Sequence, residues 1–161
     1  MTVKILRIGA VSSFMPVILA VRVKYTDNND VYFDYLSLCE KFAFRVYRCG
    51  EKRSNTGQTT LFKYGYEFYK DIAMAQETYD KIRSLLLYYA PNEEFEADNR
   101  RVGDNWYGWY GLKYLLYEYE LHCAGKNPVL MDWVYLQKKD KQDSIEHILP
   151  QTPDKPYWKS R

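Results

Sequence analysis

Apolar residues recur three or four positions apart along most of residues 14–125, which is the spacing of helices packed through one face. Tyr32, Tyr35, Leu36, Cys39, Phe42, Ala43 and Val46 form one such stripe and predict a helix over about 31–49, closed by Gly50. Before it, Ser13 is a candidate N-cap, and Pro16 falls in a first turn, where its missing N–H does no harm. The first helix is therefore expected from Phe14 to about Tyr25, ended by the polar cluster Asp27–Asp30. Residues 1–12 fit either a short strand or an irregular lead-in.

Glu51–Gln58 reads as a loop, followed by a third helix over about 59–70. A fourth, over about 74–90, carries Tyr79, Ile82, Leu86 and Tyr89 on one face and stops at Pro91. Residues 92–103 are acidic, then basic, and are expected to form an exposed connection. The fifth helix should start at Asp104 or Asn105 and end before Gly125 and Pro128. Tyr107, Tyr110, Tyr114, Tyr117 and Leu121 line one of its faces, and Trp109, Leu112, Leu116 and Tyr119 nearly the opposite one. A helix apolar on two faces is expected at the centre of a bundle. Beyond Pro128, Leu130–Leu136 and Ser144–Leu149 flank a charged tip, Lys138–Lys141, and predict a short β-hairpin or β-arch. The fold expected is mainly α: about five helices over 1–128, then a hairpin within 129–161.

Composition narrows this further. The 161 residues suit one domain, and 39 Leu, Ile, Val and Phe exclude global disorder. A net charge of +2 gives no overall field, so any basic surface must come from local clustering. Three cysteines, Cys39, Cys49 and Cys123, form neither a zinc-type pair nor an even disulfide set. A reducing, cytoplasmic setting is expected. No run reaches the ~18 apolar residues of a membrane span, and no signal-peptide pattern is read at the N-terminus, so no membrane partner is expected.

Candidate chemistry is sparse. His122 stands near a helix C-terminus, where the macrodipole favours it without any further role. His147 lies in Ser144-Ile145-Glu146-His147-Ile148-Leu149-Pro150-Gln151. On a strand it shares a face with Ile145 and Leu149, as either an ordinary packed residue or a general base. Lys41, Arg45, Arg48 and Lys52 are spaced 4, 3 and 4 apart, with Arg53 beyond them. They fit a phosphate-contacting stripe or a solvated helix face. The 17 tyrosines sit at core spacing, which favours packing over stacking on bases.

The stretch Trp106-Tyr107-Gly108-Trp109-Tyr110-Gly111-Leu112-Lys113-Tyr114-Leu115-Leu116-Tyr117-Glu118-Tyr119-Glu120, followed by Asp143–Gln151, resembles the C-terminal region of GmrSD-type restriction endonucleases. Phe44-Arg45-Val46-Tyr47-Arg48 and Arg53-Ser54-Asn55 resemble the helical part before the nuclease motif of these type IV, modification-dependent systems. The resemblance spans about 14–158. It implies a metal-dependent nuclease of the His-Me-finger (HNH-like) type, active on phage DNA. His147 and Pro150 match its His-x-x-Pro motif, with His147 deprotonating water and Mg²⁺ as the usual metal. Glu146 stands where related nucleases often carry an acidic metal ligand. Such a motif also needs a second strand and a helix supplying Asn or His, and neither residue occurs after His147. The resemblance therefore implies a truncated fragment, residues 129–161 being an incomplete motif, inactive alone and lacking the family's N-terminal nucleotide-dependent domain. A non-catalytic helical DNA-binding or domain-coupling module is the alternative.

Overall fold

The computed structural model describes residues 11–103 and 108–125. A short 3₁₀ turn, Val11–Ser13, leads into α1 (Met15–Lys24), and α2 (Asn29–Phe42) follows. The chain runs on without a break as a π-helix, Ala43–Cys49. Then come α3 (Gln58–Tyr69), α4 (Ala75–Tyr89), α5 (Asn92–Gly103) and α6 (Leu112–Ala124). The described residues are mainly helical, as expected, and contain no strand. The predicted hairpin and the boundary near residue 128 lie outside them. Among the described residues no helix is long and apolar enough to cross a membrane.

The centre of the bundle is not where the tyrosine-rich stripe placed it. The segment from α2 through the π-helix holds the core: Tyr35, Leu36, Leu38, Cys39, Phe42, Ala43, Phe44, Val46, Tyr47 and Cys49 are all buried. The predicted fifth helix is shorter than expected, because Trp109 and Tyr110 precede α6. Leu112 and Tyr114 of α6 are buried, whereas Leu116 and Tyr119 are exposed. Residues 92–103, expected as a connection, form α5. Glu93 and Glu94 in its first turn and Arg100 and Arg101 in its last complement the helix dipole, and Phe95 packs against the core.

Local chemistry explains the joints. Ser13 does not cap α1; it is buried, and its hydroxyl donates to the Ser54 carbonyl at 3.0 Å, tying the lead-in to the loop before α3. Asn28 caps α2 by accepting from the Asp30 and Val31 amides. α3 begins after Gly57, whose φ of +77° suits glycine and whose Cα lies under the Tyr89 ring. α1 and α3 approach most closely at Gly65, where a Cβ would lie 2.8 Å from the Pro16 carbonyl carbon and the Val17 nitrogen. Both neighbours are backbone, so they can yield only if the helices separate.

Gly65→Ala tests this contact. Helix propensity alone favours alanine by about 1 kcal/mol. Overpacking costs about 1–3 kcal/mol. A net loss of stability in urea unfolding is expected; a gain would mean that the helices are not held this close.

Candidate functional site

The π-helix sets the geometry of a polar cavity. Its end is wide: the Gly50 amide donates to the Arg45 carbonyl and the Lys52 amide to the Val46 carbonyl, both at 3.0 Å. These bonds span five and six residues rather than four. Side chains beyond Phe42 are thereby rotated out of the α-helical register assumed for the basic stripe.

Arg45 and Arg48 are half-buried as a result. One terminal nitrogen of Arg45 donates to the Ala90 carbonyl at 2.6 Å and to Asn92 Oδ1 at 3.0 Å, and its guanidinium lies 4.5 Å from the Phe95 ring centre. It closes the end of α4 and fastens the start of α5. Arg48 lies 4.4 Å from the Tyr110 ring centre, while its carbonyl accepts from Trp109 Nε1 at 3.2 Å. Burial holds both guanidinium pKa values below the ordinary arginine value. Lys52 pairs with Glu94 at 3.1 Å. Lys41 and Arg53 are exposed. The five cations thus do not form a single solvent-facing stripe: three turn toward neighbouring elements and two stay on the surface.

Tyr47, Arg48, Glu51, Arg101, Gly108, Trp109 and Tyr110 enclose a cavity of about 560 Å³. Arg101 crosses to it from α5. It donates to the Cys49 carbonyl at 3.0 Å, to Glu51 at 3.0 Å and to Asp98 at 3.4 Å. Two carboxylates thus offset its charge. Glu51 adopts a φ of +49°, a left-handed conformation uncommon for a residue with a side chain, and its pairing with Arg101 holds it there. Arg48 has no such partner: its Nε is buried without a hydrogen bond. Sequence spacing could not reveal this cavity, because Arg48 and Arg101 are far apart in the chain and a π-helix leaves no periodic mark.

A second polar contact lies deeper. The Tyr114 hydroxyl donates to Glu40 Oε1 at 2.8 Å, with Glu40 only 5% exposed. Burial, then the Glu40 charge, raise the tyrosine pKa above its ordinary value. This pair joins α6 to α2.

Among the described residues no group of three His, Cys, Asp or Glu side chains could hold a metal ion. His122 is exposed in the last turn of α6, as the dipole reading expects. Glu146, His147 and Pro150 lie outside the described residues. Comparison with protein-family models, curated proteins and solved structures gives no match.

Thiol chemistry offers a check on this packing. Burial pushes the Cys39 and Cys49 thiols from the ordinary 9.0 up to about 12, the Asp98 charge adding to the effect at Cys49. Burial also raises Tyr47 to about 12. These acids keep their protons longer in the folded than in the unfolded chain. Their contribution is therefore complete below pH 9 and is lost as pH rises toward 12. At about pH 8 a disulfide reagent should label the exposed Cys123 rapidly and the other two only on unfolding. Equal rates at all three would contradict the buried placement.

Proposed function

We propose that the chain is part of a GmrSD-type, modification-dependent DNA endonuclease, its helical bundle serving as the platform beside an HNH-like motif. The observation that supports this reading is the His-x-x-Pro spacing of His147 and Pro150 within Asp143–Gln151, downstream of a helical bundle. His147 is the general base. A neutral imidazole accepts the proton of a water whose oxygen attacks phosphorus, and the bond from phosphorus to the departing sugar oxygen breaks. The carboxylate of Glu146 has the hard oxygen donors that Mg²⁺ prefers. Mg²⁺, when bound, stabilises negative charge on the phosphoryl oxygens. On this reading Lys41 and Arg53, both exposed, are the cations that meet phosphates of modified phage DNA. The nucleotide-dependent domain of the family is the partner this reading implies, and the cytoplasm its setting.

A second reading rests on the same two exposed cations: a non-catalytic helical module that binds DNA or couples domains. Cleavage separates the two. With protein in excess over plasmid or modified phage DNA, and Mg²⁺ or Mn²⁺ present, slow nicking is expected. His147→Ala should lower the rate by about 10²-fold or more. Equal nicking by both proteins, or none by either, counts against the nuclease and favours the module.

A further inference from the structure

We infer that the cavity beside Arg48 is a nucleotide site, with a phosphoryl group on Arg48 and the base against Tyr110 and Trp109. The inference goes beyond the nuclease reading and does not depend on it. Three observations carry it. The first is an unanswered donor set. Arg101 is matched by Glu51 and Asp98, but Arg48 makes no side-chain hydrogen bond among the described residues, and its buried Nε lacks an acceptor. A half-buried guanidinium with no ion partner favours an oxyanion, and its planar terminal nitrogens suit one.

The second observation is an aromatic wall next to that donor. Tyr110 holds Arg48 by its ring and is still 75% exposed, so most of its surface is open to a planar ligand. Trp109 is anchored beside it by its indole N–H on the Arg48 carbonyl. A cation and an open aromatic ring on one wall are what a ligand with both a phosphate and a base requires; a bare anion would leave the ring unused. The third observation is size: about 560 Å³ lies within the range of small-ligand pockets. Arg101, shared between Glu51 and Asp98, offsets part of the Glu51 charge that the phosphate meets. The same chemistry serves a free nucleotide or one residue of a single strand.

Titration calorimetry without added metal tests the site, with dAMP, adenosine, inorganic phosphate and an eight-residue oligo(dA) as probes. We expect dAMP to bind about tenfold tighter than either adenosine or phosphate. Arg48→Gln and Tyr110→Ala should each weaken dAMP about tenfold. Lys63→Gln, which does not touch the cavity, should leave it unchanged. Tyr110 is exposed, so Tyr110→Ala decides the matter if Arg48→Gln fails to fold. Tighter binding of the oligonucleotide than of dAMP assigns the site to a strand; equal binding assigns it to a free nucleotide. No binding of dAMP, dAMP no tighter than phosphate, or dAMP binding unaffected by Tyr110→Ala would overturn the inference. Because cleavage is not measured, failure here and failure of the nuclease reading are separate results.

Discussion

The widened turn Ala43–Cys49 is the constraint on which the rest of the structure depends. It continues a helix that is already buried and keeps five of its seven residues inside: Ala43, Phe44, Val46, Tyr47 and Cys49. In an ordinary helix, Arg45 and Arg48 would follow Lys41 along one face. In the wider turn they leave that line. Arg45 closes the joint between α4 and α5, and Arg48 reaches the segment before α6. A π-helix has poorer backbone geometry than an α-helix, and such turns are frequent where function demands a displaced side chain. Here the burial of Phe44 and Tyr47 offsets that cost.

Aromatic residues carry the bundle in three linked groups. Phe14, Phe42, Tyr47 and Tyr89 meet beneath Gly57; Tyr25, Tyr35, Phe68 and Tyr79 fill the space between α2, α3 and α4. Phe44 gathers Phe95, Trp109 and Tyr114 around the π-helix. Buried tyrosine brings a hydroxyl that must be satisfied. Each buried tyrosine here uses it to tie two parts of the chain: Tyr35 to the Ala75 carbonyl, Tyr47 to that of Thr56, and Tyr114 to Glu40. The tyrosine-rich composition thus serves packing and cross-linking together. The ring of Tyr110 stays at the surface, where it packs on the Arg48 guanidinium and remains 75% exposed.

How much of this could be read in advance follows from the physics of each element. Of the stripe Tyr32, Tyr35, Leu36, Cys39, Phe42, Ala43 and Val46, all but Tyr32 are buried as the spacing implied, and Tyr32 is partly buried. The spacing understated the burial, because Leu38 and Glu40 on other faces are inside as well. α5 escaped notice because its charges outnumber its apolar anchors, although the order of those charges, acidic then basic, matches a helix dipole. The length of α6 was overestimated because Trp109 and Tyr110 happen to continue its period. The basic stripe assumes 3.6 residues per turn, and the chain departs from that value at Arg45 and Arg48. Pairings such as Arg48 with Tyr110 depend on tertiary approach and leave no trace in linear spacing.

The central claim is that the widened turn aims Arg48 into a cavity where it lacks an acceptor. A ¹H–¹⁵N spectrum of the arginine Nε groups, recorded while dAMP is added, tests it most directly. The Nε resonance lost in Arg48→Gln should shift and saturate as the terminal nitrogens of the same guanidinium meet the phosphate. If no arginine Nε signal moves, Arg48 is only a packing residue and the cavity has a different role.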